Sequence, residues 1–201
     1  FETIDSTNKK AKELAAAGEM HGTLVTADAQ LAGIGRRGRS WSSEKEAGIY
    51  MSMILRPEIE TDKASMLTLI AALAVEKAIA ETLKCQPMIK WPNDIVLNKK
   101  KICGILTEMT LKGTEIDYVV IGIGINVNNK AFPEEIVPTA SSLSLELGRE
   151  IDRELLITEV WKWFDVYYKL FLETKDLSLS KEIYENALIN KGEQVKVLDP
   201  L

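Results

Sequence analysis

The pattern of apolar and polar positions divides the chain into helices and short strands. Apolar residues keep helical spacing over residues 62–83 and again over residues 154–171, so both segments are predicted to be long amphipathic helices. A shorter helix is expected from about residue 8 to residue 17, where Asp5 or Ser6 can serve as the N-terminal cap.

Short apolar segments between polar turns predict the strands of a sheet. These segments are residues 23–27, 48–55, 88–91, 95–97, 102–109 and 118–126. The turns at residues 98–100 and 112–113 suit hairpins. Because the strands are interspersed with helices instead of following regular βαβ units, we predict an α+β fold with a mixed, largely antiparallel sheet.

The composition of the chain mainly excludes several classes of protein and site. The chain has 201 residues, of which 46% are hydrophobic and 27% charged, as expected of one main globular domain. Apolar runs fall short of the roughly 20 residues that a membrane span needs, and a net charge of −5 argues against non-specific nucleic-acid binding. Cys85 and Cys103 have the spacing of neither a metal site nor a disulfide framework, so a reducing cytoplasm is expected.

One loop is strongly basic in this acidic chain. Residues 33–41 combine three glycines with three arginines and end on Trp41. Glycine lets the backbone approach a ligand closely, and the planar arginine guanidinium matches phosphate or carboxylate oxygens in pairs. The loop is therefore predicted to bind an anion. The alternative is a mobile, solvated loop.

Three further segments carry candidate chemistry. Residues 90–94, KWPND, place a cation, an aromatic ring, a rigid turn, an amide and a carboxylate in five consecutive positions. Gly104 follows Lys101 within a predicted strand, which indicates a close approach to the backbone by a flat ligand, or else a β-bulge. Residues 121–126 alternate isoleucine with glycine, so one face of that strand is bare.

These motifs, in this order, resemble those of biotin protein ligases. The chain has DSTN at residues 5–8, Gln30 before the basic loop, KWPND, Lys101 with Gly104, and GIGIN at residues 122–126. The resemblance covers nearly the whole chain and implies a catalytic domain like that of class II aminoacyl-tRNA synthetases. It also implies that biotin and Mg·ATP form biotinyl-5′-adenylate, whose acyl group passes to a lysine of a biotin carboxyl carrier protein.

The resemblance implies a set of biotin-binding residues. A urea needs both donors and acceptors, which the polar members Ser6, Thr7, Asn8 and Gln30 can supply. For residues 6–8 the alternative is simple helix capping, and for Trp41, the expected lid, it is an ordinary core position. The remaining expected biotin-binding residues are Ile34, Gly35, Arg36, Trp41, Lys101, Gly104 and Leu106.

The same resemblance implies catalytic and ATP-binding residues. Arg36 would close on the adenylate, and Lys101 would reach both the biotin carboxylate and the α-phosphate, unless it is a plain exposed lysine. Because the acceptor lysine must attack as a free amine, our own candidate to orient or deprotonate it is Asp94, with a structural role in its turn as the alternative. No residues are assigned to a resident metal. The expected ATP-binding residues are Arg36, Arg39, Asn93, Lys101 and Asn126.

The chain departs from the family pattern at Ile34, where an arginine is usual. The backbone of residues 34–36 can still line the ligand, but one positive charge is absent. Retention of the adenylate or affinity for biotin would then be weaker, unless Arg37 or Arg39 compensates.

We expect residues 1–188 to form the biotin- and ATP-binding domain, and residues 189–201 to begin a truncated, small SH3-like β-barrel. Two alternatives remain. A lipoate ligase shares the architecture but is disfavoured by the basic loop and KWPND. A biotin-sensing repressor would carry a helix-turn-helix domain before Phe1. The resemblance places the chain in the cytoplasm and allows a homodimer, with no membrane or nucleic-acid partner for this domain.

Overall fold

The computed structural model describes residues 1–195, which form an α+β fold around a six-stranded antiparallel sheet. The strands of this sheet are β2 (Leu24–Ala27), β4 (Ile49–Leu55), β5 (Met88–Lys90), β6 (Asp94–Leu97), β7 (Lys100–Lys112) and β8 (Glu115–Ile125). Their spatial order is β2, β4, β8, β7, β6, β5. Two short strands, β1 (Thr3–Ile4) and β3 (Ala29–Gln30), pair in parallel as a separate sheet. The predicted fold class is thereby confirmed.

The helices are α1 (Thr7–Ala16), α2 (Met66–Leu83), α3 (Leu143–Leu147), α4 (Arg153–Thr174) and α5 (Lys181–Ala187). The three predicted helices correspond to α1, α2 and α4. Helix α2 begins later than expected because Thr61–Lys63 forms a separate 3₁₀ turn. Helix α4 begins where the Asp152 carboxylate accepts hydrogen bonds from the backbone of Glu154 and Leu155.

The two faces of the sheet carry different partners. Because side chains alternate along a strand, Ile121, Ile123 and Ile125 of β8 all point to one face, where they join the main core with α2 and α4. On the other face, Ala11 and Ala15 of α1 pack against β2, β4 and β8 in a smaller core. Helix α1 thus leaves part of the second face uncovered beside its N-terminus.

Both predicted hairpins are present. Strands β6 and β7 are joined through Asn98 and Lys99, which both have positive φ (50° and 67°). Strands β7 and β8 are joined through Gly113, whose φ is +66°. These two connections place β7 and β8 side by side over most of their lengths, at the centre of the sheet.

After α5 the chain returns to the edge of the sheet, where Leu188 bridges Ile89 in parallel and the Ile189 amide donates to the Ile89 carbonyl. The small barrel expected to begin within residues 189–201 lies partly outside the described residues, so it stays a prediction. Within residues 1–195, no helix has both the length and the apolar character that crossing a membrane requires.

Candidate active site

A cavity opens on the uncovered part of the second face, beside the N-terminus of α1. It is lined by the start of α1, the loop after β3, the turn between β5 and β6, and strands β7 and β8. All eleven residues expected to bind biotin line it: Ser6, Thr7, Asn8, Gln30, Ile34, Gly35, Arg36, Trp41, Lys101, Gly104 and Leu106. Asn93, Ile105, Gly122, Ile123 and Gly124 complete the wall.

Three glycines, Gly104, Gly122 and Gly124, form what we call the glycine floor of this cavity. A Cβ atom at Gly124 would lie 2.6 Å from the Trp41 ring, and one at Gly104 would lie 2.8 Å from it. At Gly122, a Cβ atom would overlap the Asn8 amide. The groups that approach these glycines in the structure are the protein's own side chains, and the approach of a flat ligand stays a prediction.

The alternative at Gly104 was a β-bulge. The strand pairing is irregular near Gly104 but regular at Gly104 itself. The register between β6 and β7 shifts between Ile95 and Val96. Gly104 itself is paired regularly with Asp94 on one side and Gly124 on the other. Its lack of a side chain therefore serves the packing of Trp41 rather than the bulge.

The N-terminus of α1 contributes polar groups to one end of the cavity. The Thr7 amide and hydroxyl both donate to Gln30 Oε1, at 2.8 and 3.1 Å, and Gln30 Nε2 donates to Ser43 Oγ at 2.9 Å. Ser6 occupies the cap position of α1, but within the described part of the chain its hydroxyl makes no capping hydrogen bond. Simple capping therefore does not explain why a serine occupies position 6. The residue is buried, with only 3% of it exposed.

Asn8 is held by residues that the sequence motifs did not indicate. Its Nδ2 donates to Glu108 Oε2 at 2.9 Å and, more weakly, to the Leu106 carbonyl at 3.4 Å. Ser52 Oγ lies 2.6 Å from Asn8 Oδ1 and 2.8 Å from Thr7 Oγ1. The only sequence signal for Ser52 is its position as a lone polar residue within the apolar strand β4.

Glu108 also accepts a hydrogen bond from Lys12 Nζ at 2.8 Å. Partial burial opposes ionisation of Glu108, but the hydrogen bonds from Lys12 and Asn8 outweigh it and hold the pKa of Glu108 below its usual value. The carboxylate is therefore charged at neutral pH and accepts from both neighbours.

The opposite end of the cavity is cationic. Lys101 Nζ lies 2.7 Å from Asp94 Oδ1, in the geometry of an ion pair rather than of an aligned hydrogen bond. The same ammonium lies 5.4 Å from the centroid of the Trp41 ring, within cation–π range. Asn93 Nδ2 donates to the Ile105 carbonyl at 3.0 Å, which fixes the turn beside Lys101.

The basic loop folds back on itself over the cavity. The Gly35 amide donates to the Arg39 carbonyl at 2.6 Å, and the Trp41 amide donates to the Gly33 carbonyl at 2.8 Å. Arg36 is exposed and lines the cavity. This geometry brings two expected catalytic residues, Arg36 and Lys101, to the cavity wall, with Asp94 directly behind Lys101.

Two of the expected ATP-binding residues do not line the cavity. Arg39 is exposed and lies outside the set of lining residues. Asn126 is buried at the end of β8, where its amide donates to the Ser141 carbonyl at 3.0 Å. Their roles toward ATP stay predictions.

Comparison with known proteins connects this cavity to a family. The biotin/lipoate A/B protein ligase family matches residues 1–126, which contain every residue that lines the cavity. The bifunctional ligase/repressor BirA of Bacillus subtilis is 42% identical over 197 residues, covering 97% of this chain and 60% of that protein. The biotin–[acetyl-CoA-carboxylase] ligase of Paracoccus denitrificans is 38% identical and covers 75% of this chain and 64% of that protein.

A solved structure has the same fold. The biotin protein ligase from Aquifex aeolicus in complex with biotin and ATP superposes with a TM-score of 0.84 at 33% identity, covering 94% of this chain and 77% of that chain. This chain spans about 60% of the length of the first curated relatives. The matched region, the fold and the cavity agree, and the chain belongs to the biotin/lipoate A/B protein ligase family.

Proposed function

We propose that this chain is the catalytic part of a biotin protein ligase. It would activate biotin with Mg·ATP and transfer the biotinyl group to a lysine of a biotin carboxyl carrier protein. The observation that carries the proposal is a single cavity with polar groups at one end, a glycine floor in the middle and Lys101 at the other end. The similar Aquifex aeolicus ligase is described in complex with biotin and ATP.

The polar end suits the ureido group of biotin. Ser6 lines the cavity and has a hydroxyl that can donate and accept, and Gln30 Nε2 carries a second hydrogen besides the one that it donates to Ser43. Both groups can pair with a cyclic urea, which presents two N–H donors and one carbonyl acceptor. The bicyclic ring of biotin would lie along the glycine floor next to Trp41.

The cationic end suits the first step of the reaction. A biotin carboxylate oxygen attacks the α-phosphorus of ATP, and the P–O bond to pyrophosphate breaks with its electron pair on the leaving group. Lys101 would neutralise the two approaching anions, and Arg36 would hold the product adenylate from the loop side.

Magnesium fits this site as part of the Mg·ATP substrate. The described residues contain no group of three or more His, Cys, Asp or Glu side chains that could hold a metal ion. Mg²⁺ is commonly held by substrate phosphates and one or two carboxylates. The ion would therefore enter with ATP and offset phosphate charge, while Lys101 and Arg36 act on the carboxylate and the adenylate.

Asp94 is our candidate for the second step. The acceptor lysine must attack the adenylate carbonyl as a free amine, although its unperturbed pKa is about 10.4. Asp94 lies against Lys101, so an amine entering there would meet a carboxylate that can orient it and accept its proton. The N–C bond forms, the C–O bond to phosphate breaks, and AMP leaves.

The direct test is to incubate the protein with biotin, Mg²⁺ and labelled ATP and to measure biotinyl-adenylate by mass. We expect an adenylate that forms only when biotin and ATP are both present. A protein that binds neither ligand and forms no adenylate would contradict the proposal.

Lipoate tests the choice of substrate in the same assay. Lipoate has no ureido group and would leave polar groups of the buried end unpaired, each at a cost of about 1–3 kcal/mol. With two or more groups unpaired, we expect discrimination of roughly a hundredfold or greater against lipoate. Equal adenylation rates for the two acids would favour the lipoate ligase alternative.

A further inference from the structure

A continuous series of polar contacts runs from the protein surface to the cavity. Lys12 contacts Glu108, Glu108 contacts Asn8, Asn8 contacts Ser52, and Ser52 contacts Thr7, with separations of 2.6 to 2.9 Å. We call these five residues the polar chain. It joins α1 to β4 and β7, and it passes directly over Gly122, the glycine whose Cβ atom would overlap Asn8.

These contacts use the hydrogen-bonding groups of the Asn8 side chain within the protein. Its two N–H donors are directed at Glu108 and at the Leu106 carbonyl, and its oxygen faces the Ser52 hydroxyl. Glu108 accepts from Lys12 as well, so its carboxylate is a pure acceptor and fixes which end of the Asn8 amide faces it. Asn8 therefore has no free donor to offer a ligand.

Ser52 links this fixed amide to Thr7. It is completely buried on β4, opposite Gly122 of β8, and its hydroxyl lies between Asn8 Oδ1 and Thr7 Oγ1. A buried hydroxyl in this position is costly unless its hydrogen bonds are made. Its contacts also determine where the Thr7 hydroxyl lies at the polar end of the cavity.

We propose that Ser52 and Glu108 are positioning residues for biotin binding, and that Asn8 acts with them instead of pairing with the ureido group. This inference rests on the proposed function and deepens it. The residues left to contact the ureido group are then Ser6, Thr7 and Gln30. Lys12 orients Glu108 from the surface end of the polar chain.

Steady-state kinetics of adenylate formation can separate positioning from general structural support. Ser52→Ala and Glu108→Ala should each raise the KM for biotin by about three- to tenfold, as expected for the loss of about one hydrogen bond. The KM for ATP and kcat should stay within about twofold, because the polar chain lies at the biotin end. A merely structural role would change all three parameters.

Conservative and surface variants make the test specific. Glu108→Gln keeps an oxygen that can accept from Asn8, so most of the biotin affinity should return relative to Glu108→Ala. Lys12→Ala should raise the KM for biotin, whereas Lys10→Ala should not. The two lysines are matched, since the side chains of Lys12 and Lys10 are 37% and 36% exposed, but among residues 1–195 the ion pair of Lys10 is with Glu13 on the surface.

Equilibrium dialysis with labelled biotin distinguishes the possible failures. Unaltered protein that does not bind biotin would contradict the proposed function and this inference with it. If the unaltered protein binds biotin and the Ser52→Ala and Glu108→Ala variants bind it with the same affinity, the positioning roles alone would be overturned. If the buried variants fail to fold, equal biotin KM values for Lys12→Ala and Lys10→Ala would overturn them as well.

Discussion

At the residue scale, the shape of the cavity depends on which side chains are absent. The glycine floor lets Trp41 and Asn8 approach the sheet backbone, and both approaches are closer than any Cβ atom would allow. The polar and charged side chains are then placed around this floor by α1, by the basic loop and by β7. A change of one methyl group at the floor therefore has consequences for residues far away in the sequence.

Gly122→Ala tests this dependence. The new methyl group must displace the Asn8 amide, and overpacking of this kind costs roughly 1–3 kcal/mol of the free energy of unfolding. In an Asn8→Ala background the space is already free, so the same change should cost much less. Urea denaturation of the two single variants and the double variant measures the coupling. Strictly additive effects would show that the two residues do not compete for this space.

Lys101 gives a second test at this scale. If Lys101 contacts both reacting anions, Lys101→Ala should slow adenylate formation by roughly two to three decades, because a contact strengthened in the transition state is worth about 3–4 kcal/mol. Lys100→Ala is the matched control, since Lys100 lies 4.0 Å from Glu146 instead. Single-turnover rates measure both. Small and equal effects would indicate that Lys101 is an ordinary surface lysine.

At the scale of elements, α2 lies in the main core and the basic loop lies at the exposed side of the site. Most of α2 is buried against the sheet and α4, yet it contains Glu76, which burial leaves in a poorly solvated position. The basic loop has the opposite character, because its arginines are exposed, while backbone hydrogen bonds and the packing of Trp41 on the glycine floor hold it closed.

Glu76 should make stability depend on pH. Burial raises the pKa of Glu76 from 4.5 to about 6, so the folded state binds this proton more tightly than the unfolded state. The resulting stabilisation is present below about pH 4.5 and is lost as pH rises through about 6. Glu76→Gln should therefore be more stable than the parent near neutral pH, by about 1–2 kcal/mol.

Chemical denaturation across this pH range measures the effect. The control is Glu81→Gln, because a hydrogen bond from Lys77 lowers the pKa of Glu81 and gives a pH dependence of the opposite sign. A Glu76→Gln variant that keeps the full pH dependence of its parent would assign that dependence to other groups.

Ligand binding should order the basic loop. Its glycines have much backbone entropy to lose and its arginines repel one another, so a bound anion should stabilise the closed loop. Hydrogen exchange across residues 33–41 should slow when biotin or the adenylate is bound, while the β7–β8 turn at Gly113 should be unaffected. Protection that is high without ligand and unchanged by it would indicate a rigid loop.

At the scale of the whole molecule, the sequence predicts those elements and site residues that neighbouring positions in the chain determine. Strong helical periodicity predicts α2 and α4, and the ordered motifs that resemble those of biotin protein ligases predict the eleven biotin-binding residues that line the cavity. The short helices α3 and α5 were not predicted, because seven residues or fewer give little periodic signal. Ser52 and Glu108 were not predicted either. Their roles arise from contacts with Asn8 across 44 and 100 positions of the chain, which no local pattern encodes.

The alternation along β8 has a consequence for folding errors. Its isoleucines fill the main core, and its glycines, Gly122 and Gly124, lie between them on the opposite face. Sliding this strand by one residue against its neighbours would exchange the two sets. Isoleucine side chains would then occupy the binding cavity, and bare backbone would face α2. A misaligned chain would lose its main core and the shape of its cavity together, so the strand itself disfavours a stable mispaired fold.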